Sequence, residues 1–440
     1  MKRISARLLI LAIVAFLALV GVSWISDHIT GDTTLQISEP TPALIERGAY
    51  LARLGDCAAC HSIPGKPAFA GGLRMVTPIG AIYSSNITPD PTHGIGRYSL
   101  TDFDRALRFG VADGHTLYPA MPYTSYYNTR PEDVRALYAY FMHGVVPSDV
   151  PNHKSDIPFP LSMRWPLTYW RRLFAPQPRP FEPTAGTDPV VARGDYFVNG
   201  LGHCGECHTS RGFAMQLRAI SPTGHPEYLS GTKIENFFAP SLRNDSRGSL
   251  ANWTEADLVS FLQRGTNAHG IAFGSMSDVI VHSTQYLTAD DAQAAARYLK
   301  SVGTSADKAL TYAYDNSAHD LVKNGDASQR GAQLYLDNCA ACHKPDGRGY
   351  EGAFPALAGN PVVQAPDPLS LVSIVLGGNT TPRTASTPAQ FTMPAFAWRL
   401  SDSDVADVVT YIRGSWGNFA APVSAAQVKP YRSAAVATKQ

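Results

Sequence analysis

The chain has 440 residues, enough for about three domains at the usual domain size of roughly 100–200 residues. Its 37 basic and 36 acidic side chains nearly balance, which argues against a nucleic-acid partner. A hydrophobic fraction of 44% is ordinary for a globular protein, so each domain can bury a core without disulfide bonds. Glycine and proline are abundant, at 36 and 33 residues, which predicts that much of the chain is loop.

One segment, at the N-terminus, is apolar enough to enter a membrane. Basic residues between Lys2 and Arg7 precede an uncharged run from Leu8 to Ile25. The run is short for a membrane-spanning helix of about 20 residues, so residues 1–26 are interpreted as either an export signal or a retained anchor. Gly21-Val22-Ser23 is a tolerable cleavage site. In both cases the basic start places the rest of the chain on the periplasmic side of the cell membrane.

The six cysteines form three copies of one frame, C-x-x-C-H, which is the covalent attachment signature of c-type haem. Two thiols three positions apart lie on one helical turn and reach both vinyl groups of a porphyrin, and the following imidazole binds the iron. The frames are Cys57-Ala-Ala-Cys60-His61, Cys204-Gly-Glu-Cys207-His208 and Cys339-Ala-Ala-Cys342-His343. They predict three covalently bound haem c groups, with the histidines as iron ligands.

Other uses of cysteine explain the frames less well. A disulfide framework would not require a histidine after every second cysteine. A thioredoxin-like site needs a βαβ pattern around it, whereas these frames lie among helix signals. A structural zinc site normally needs two C-x-x-C pairs close together, and here the pairs are far apart in the sequence.

Each frame lies within a repeated pattern of helices. An Arg-Gly pair marks a helix before the frame, and a Ser or Thr with an acidic residue three positions later marks an amphipathic helix that closes the repeat. The Arg-Gly pairs are Arg47-Gly48, Arg193-Gly194 and Arg330-Gly331. The start signals run from Thr129 to Glu132, from Thr288 to Asp291 and from Ser401 to Asp404. Further helices are expected from Leu100, Thr254 and Leu369 onward.

These patterns predict an all-α chain of three tandem cytochrome c domains joined by proline-rich linkers, after the N-terminal segment. The proline-rich linker is expected to wrap without regular structure and to bury Trp165, Trp170 and Phe174. The domains are predicted at 44–147, 189–303 and 327–417, the linkers at 148–188 and 304–326, and a polar tail without a membrane anchor at 418–440.

A six-coordinate electron-transfer haem needs a second iron ligand, usually Met or His. One methionine stands downstream of each frame and before each closing helix: Met121, Met276 and Met393. Proline next to Met121 and Met393 stiffens those loops. Met276 has no such neighbour, and His269 remains an alternative to it. We find no phosphate-binding loop, Ser-His-Asp set or paired-carboxylate motif, so the sequence predicts no catalytic residue.

Several stretches resemble the triheme cytochrome c subunit of bacterial membrane-bound dehydrogenases, which oxidise gluconate, alcohols, aldehydes, sorbitol or fructose on the periplasmic face. The resemblance rests mainly on Tyr83–Asp90 and Leu117–Tyr123 and runs from about Leu44 to Trp416. The stretch Asp156–Leu167 looks most similar to the gluconate 2-dehydrogenase branch.

This resemblance implies an electron relay from a catalytic subunit, expected to be a flavoprotein that oxidises gluconate, through three haems to ubiquinone in the membrane. It implies methionine as the sixth ligand of each haem, and a small third subunit is a further expected partner. Three alternatives stay open: the cytochrome subunit of a quinoprotein alcohol or aldehyde dehydrogenase, a freestanding multihaem carrier to a terminal oxidase or reductase, and a haem peroxidase with one open iron.

Overall fold

A computed structural model describes residues 2–31, 34–37, 39–244, 250–303 and 312–437. The chain divides into two compact units. The first contains Met1–Pro183 with the short segments Gly200–His203 and Phe213–Gln216, and the second contains the remaining residues.

Seven helices and two hairpins build the first unit over its described residues. In chain order they are α1 (Lys2–Ile29), α2 (Pro42–Leu54), α3 (Cys57–His61), β1 (Arg74–Thr77), β2 (Gly80–Tyr83), α4 (Leu100–Phe109), β3 (Val111–Ala112), β4 (His115–Thr116), α5 (Tyr123–Tyr126), α6 (Pro131–His143) and α7 (Trp165–Phe174). Within α1, the stretch Arg7–Ile29 is long and apolar enough to cross a membrane.

The second unit is also mainly helical. Its first half contains α8 (Pro189–Asn199), α9 (Gly205–His208), β5 (Thr232–Ile234), β6 (Phe237–Ala239), α10 (Glu255–Arg264), β7 (Thr266–Asn267), β8 (Gly270–Ile271), α11 (Ser275–His282), a 3₁₀ turn (Thr284–Tyr286) and α12 (Ala289–Ser301). Its second half contains α13 (Ser317–Lys323), α14 (Arg330–Asn338), α15 (Ala340–His343), α16 (Pro361–Gln364), α17 (Leu369–Gly377), β9 (Asn379–Thr380), β10 (Thr392–Met393), α18 (Asp402–Gly414) and α19 (Ala425–Ala437).

One helix crossing occurs three times, once around each cysteine frame. The helix before the frame packs against the closing helix of the same repeat, as α2 against α6, α8 against α12 and α14 against α18. The glycine of each Arg-Gly pair lies at the crossing. A Cβ atom on Gly48 would lie 1.9 Å from the carbonyl oxygen of Ala136, and the corresponding distances are 2.0 Å for Gly194 and 2.4 Å for Gly331. Only glycine allows the two backbones to approach this closely.

The arginine of each pair reaches the first turn of the closing helix. Arg47 binds Asp133 at 2.9 Å, Arg193 binds Asp291 at 2.5 Å, and Arg330 binds Asp404 at 2.7 Å. The sequence therefore located both partner helices of each repeat. The start signals were less accurate, because α6 begins after Arg130 without a side-chain cap and the Thr129 hydroxyl donates to the Tyr126 carbonyl oxygen instead. Thr288 and Ser401 do accept from the amides of Asp291 and Asp404.

A third helix of each repeat ends at a glycine with a positive φ angle, and a hairpin follows that glycine. Helices α4, α10 and α17 end at Gly110, Gly265 and Gly378, whose φ angles are 64°, 73° and 76°. The hairpins β3–β4, β7–β8 and β9–β10 follow directly. Glycine is favoured where φ is positive because it has no Cβ to clash with the backbone.

The prediction of an all-α chain is wrong, since the described residues contain five two-stranded antiparallel sheets. Their strands are only two to four residues long, too short to show the alternating pattern that identifies a strand. Regular structure also occurs where none was expected. Helix α7 lies inside the proline-rich segment, where Pro166 occupies the first helical turn and Trp165, Trp170 and Phe174 are half-buried. Helix α19 occupies the expected polar tail and buries Val428.

The linker expected at 304–326 lies partly outside the described residues. Its described part contains helix α13, from Ser317 to Lys323.

Candidate functional sites

The two cysteines and the histidine of each frame lie on one short helical turn. The first frame forms α3 itself, whereas Cys204 and Cys339 are the residues immediately before α9 and α15. This brings both thiols and one imidazole of each frame together, as attachment of a single porphyrin requires.

Each frame histidine has its ring held by a backbone carbonyl. The Nδ1 atom of His61 lies 2.7 Å from the carbonyl oxygen of Ser85, that of His208 lies 2.8 Å from Pro240, and that of His343 lies 2.9 Å from Pro355. A carbonyl accepts only from a protonated nitrogen, so Nδ1 carries the hydrogen and Nε2 keeps its lone pair. This is the second-sphere contact that orients metal-binding histidines.

Burial lowers the pKa of all three histidines, which keeps the imidazoles neutral near pH 7. A neutral ring with Nδ1–H bonded to the backbone presents Nε2 as a ligand for iron. The three rings are therefore prepared in the same way.

Each of these carbonyls lies just after a short antiparallel strand or bridge. Ser85 follows β2 closely, and Pro240 directly follows β6. Pro355 directly follows an antiparallel bridge between Tyr350 and Phe354. Sequence reasoning missed this second-sphere group, because a carbonyl has no residue signature. The one sequence feature that could have indicated these carbonyls is a short segment between turns, downstream of each frame.

Four of the six cysteine thiols are held in environments that oppose their ionisation. Burial raises the pKa of Cys57, Cys204 and Cys339 to about 12 and that of Cys60 to about 11. A thiol that resists ionisation is a poor ligand for zinc, which binds the thiolate. Burial against apolar groups suits sulfur atoms that form thioether bonds to a porphyrin. The residues present therefore fit haem.

In the third repeat, the predicted ligands from both sides share one cavity. Cys339, Cys342 and His343 line it together with Met393 and Pro394. Much of the remaining lining is apolar, which suits the porphyrin ring. A cavity with a frame histidine and a methionine in its walls is what six-coordinate haem needs.

The second repeat contributes to this same cavity. Ile271, at the end of β8, and Phe273 are among its lining residues. Phe273 lies three positions before Met276, so the segment that carries one predicted ligand also forms a wall of the neighbouring site. Two hydrogen bonds join the repeats nearby, because the Ser370 hydroxyl donates to the Phe238 carbonyl oxygen at 2.9 Å and accepts from the Phe238 amide at 2.7 Å.

The other two methionines occupy matching positions beyond their hairpins. Met121 lies between β4 and α5, and Met276 is the second residue of α11. Each of the two follows the last strand residue of its hairpin, Thr116 or Ile271, at the same chain distance. Met393 differs, since it belongs to strand β10.

His269, the alternative to Met276, has other partners. Its Nε2 atom lies 3.3 Å from a carboxylate oxygen of Asp257, and its ring stacks on Trp253 with 5.6 Å between centroids. One ring nitrogen of His269 is thus engaged by a carboxylate and its ring face by an indole, which favours Met276 as the ligand of the second site.

Comparison with known proteins agrees with these features. A family model for cytochrome c matches residues 328–416. The chain is 54% identical to a gluconate 2-dehydrogenase cytochrome c subunit from Pantoea cypripedii, over 89% of this chain and 90% of that protein. It is 49% identical to a quinone alcohol dehydrogenase cytochrome c subunit from Gluconobacter oxydans, over 89% and 82%. It is 39% identical to a fructose dehydrogenase cytochrome subunit from Gluconobacter japonicus, over 90% and 85%.

Proposed function

We propose a complete electron route for this chain, which belongs to the family of cytochrome c subunits of gluconate, alcohol and fructose dehydrogenases. It relays electrons for an oxidoreductase and carries covalently bound haem c. In our proposal it binds three such groups, receives electrons from a flavoprotein that oxidises gluconate on the periplasmic side, and delivers them to ubiquinone. A small third subunit completes the complex.

The main observation behind this proposal is that the histidine of each frame makes the same backbone contact in all three repeats. His61, His208 and His343 each have Nδ1 on a carbonyl and Nε2 available, each directly after two cysteines. When bound, haem supplies reversible one-electron chemistry between Fe(III) and Fe(II). The two cysteines of each frame would hold the group by two thioether bonds.

We assign the iron ligands as follows. His61, His208 and His343 would hold the iron through Nε2, and Met121, Met276 and Met393 would hold it through sulfur. Methionine sulfur favours the reduced state and raises the potential, which suits an acceptor for electrons from a dehydrogenase. The three haems then belong to three cytochrome c domains in tandem.

The count of three is tested by removing one attachment site at a time. In Cys339→Ser/Cys342→Ser, we expect the mass of the intact chain to fall by one haem and the haemochrome absorbance by about one third, as three equal sites require. Cys204→Ser/Cys207→Ser is the matched variant for the second frame. An unchanged haem content in either variant would refute the assignment of that frame.

The relay is tested on the complex purified from membranes with this chain. We expect gluconate to reduce its haems, and ubiquinone to reoxidise them. The isolated chain should not oxidise gluconate. Turnover by the chain alone, or a lone chain without co-purifying subunits, would overturn the division of labour.

A second candidate is the cytochrome subunit of a quinoprotein alcohol dehydrogenase, which the 49% identity to the Gluconobacter oxydans protein favours. The same complex discriminates between the two. A flavin in the co-purifying subunit and reduction by gluconate support the first candidate, whereas pyrroloquinoline quinone and reduction by ethanol support the second.

A further inference from the structure

Helix α7 presents an apolar edge to solvent. Leu173, in its last turn, is 75% exposed. Phe213, which belongs to the same compact unit, is 93% exposed and packs edge-on against Phe174 with 6.1 Å between ring centroids. The Trp170 indole nitrogen donates to the Ala214 carbonyl oxygen at 2.6 Å and fixes this segment to the helix. Met215 extends the edge and is 52% exposed.

This edge is continuous with the apolar helix α1. The hydroxyl of Tyr169 donates to the carbonyl oxygen of Leu19 at 2.8 Å, and the rings of Phe16 and Trp165 meet edge to face at 5.7 Å. Around the contacts the apolar side chains of α1 are exposed, Leu17 by 61%. A lipid bilayer that covers α1 therefore meets α7 as well.

The depth of these contacts matches an interfacial helix. Leu19 lies six residues before Ile25, the end of the apolar run, which is about 9 Å along a helix that rises about 1.5 Å per residue. Helices that lie in the membrane plane bury their apolar face by about 5–10 Å. Tryptophan and tyrosine, here Trp165 and Tyr169, are the residues enriched at this level of a bilayer.

Polar groups hold α7 at the periplasmic end of α1. The Asp27 carboxylate accepts hydrogen bonds from the Thr168 hydroxyl at 2.8 Å and from the Arg171 guanidinium at 3.1 Å. Ser23 donates to the Thr168 hydroxyl at 2.8 Å. Arg172 is exposed and, within the described part of the chain, forms no ion pair, so its charge is available to an anionic headgroup.

We propose that α7 and the Phe213–Met215 segment form a second membrane contact, which lies in the outer lipid interface beside α1 with Leu173 and Phe213 among the acyl chains. This inference rests on α1 being retained as a membrane anchor, one of the two interpretations of residues 1–26, and on the proposed function at the membrane. It assigns the lipid bilayer, rather than another protein subunit, as the partner of this edge.

The test reconstitutes the full-length holoprotein in vesicles of phosphatidylethanolamine and phosphatidylglycerol that contain a photoreactive group on an acyl chain, and maps the labelled peptides. We expect label on α1, on residues 170–174 and on residues 213–215. Label on α1 alone would overturn the inference and leave the anchor intact. Label on 170–174 and 213–215 without α1 would overturn the inference as well, because it would remove α1 from the bilayer that α7 is proposed to share. No label on any of them would refute both the inference and the anchor.

A pair of exposed substitutions sharpens the result. Because Phe213 is almost fully exposed, Phe213→Glu should leave the fold and the haem spectrum unchanged while it lowers the labelling of 170–174 several-fold. Val146→Glu, at a residue 80% exposed in the same unit, is the control and should leave the labelling unchanged. Equal labelling in the two variants would contradict the proposed contact.

Discussion

The second and third repeats lie in one compact unit and hold their methionines by different means. Met393 belongs to strand β10 and is followed by Pro394, so the backbone itself fixes its position. Met276 is the second residue of α11 and follows Gly274, whose φ angle is 54°. Helix α11 is held by Ile280, which is fully buried.

This difference shows that the same chemical position can be set by local stiffness or by the packing of a helix. Proline next to a methionine is visible in the sequence, whereas a buried contact one helical turn away is not. Four experiments test what the two repeats share and where they differ, in order of expected effect.

Removal of the thioethers should have the largest effect. In Met393→Leu and Met276→Leu we expect the affected haem to lose its sulfur–iron charge-transfer band and its potential to fall by on the order of 0.1–0.3 V, part of the roughly 0.8 V that axial ligands span. Redox titration followed by absorbance measures both. His269→Gln is the control for the second repeat and should keep the band. Loss of the band in His269→Gln but not in Met276→Leu would reverse the assignment.

The helix crossings should be equally critical in the two repeats. A Cβ on Gly194 or Gly331 would lie 2.0 Å or 2.4 Å from a carbonyl oxygen, so Gly194→Ala and Gly331→Ala must separate the helices. Overpacking of this kind costs about 1–3 kcal/mol of unfolding free energy. Denaturant unfolding of the holoprotein measures the loss. Gly414→Ala, in α18 with nothing within 4 Å of the added Cβ, should cost nothing. Equal stability of all three variants would contradict the close crossing.

Removal of Phe273, a side chain of the second repeat that lines the cavity of the third, should have a smaller effect. Phe273→Ala should admit water to the third site and shift the potential of that haem by tens of millivolts, because solvent exposure stabilises the charged oxidised state. Phe237→Ala is the matched control, since Phe237 packs on Phe273 at 5.4 Å between centroids and does not line the cavity. A potential that shifts equally in both variants would indicate a general loosening instead.

The surface ion pair of the third repeat should contribute least. The hydrogen bond from Arg330 is the main cause that lowers the pKa of the Asp404 carboxyl from its ordinary 3.8. Its stabilisation is therefore present above pH 3.8 and is lost as the pH falls through the lowered pKa. Because Arg330 is exposed, Arg330→Gln should cost at most about 1 kcal/mol near neutral pH and nothing in acid. Arg399→Gln is the control for charge alone, because Arg399 is exposed and forms no ion pair among the described residues. The same loss of unfolding free energy in both variants would show that the ion pair does not cause it.

The sequence predicted the skeleton of each repeat because its signals are local. A C-x-x-C-H frame, an Arg-Gly pair or a capping residue such as Ser401 is recognisable within a few positions. The hairpins were missed because strands of two residues carry no periodicity. Helix α7 was missed because proline counts against a helix except in the first turn, where Pro166 lies.

The methionines were predicted from their positions in the sequence, and that prediction stands. The carbonyls on Nδ1 and the Phe273 wall depend instead on contacts between distant segments. The chain separation from His61 to Ser85 is 24 residues, and that from His208 to Pro240 is 32. No pattern in the sequence specifies which carbonyl meets which ring. Only the fold determines that pairing.

The use of a main-chain oxygen behind the imidazole of each C-x-x-C-H frame has a consequence for how this chain can evolve. A carboxylate in that place would be gained or lost by a single codon change, and the basicity of the imidazole would change with it. The carbonyls of Ser85, Pro240 and Pro355 persist whatever side chain stands there. In the proposed three-haem relay, divergence of the three potentials is thus left to the methionine ligands and to the apolar walls, where substitutions act on one site at a time.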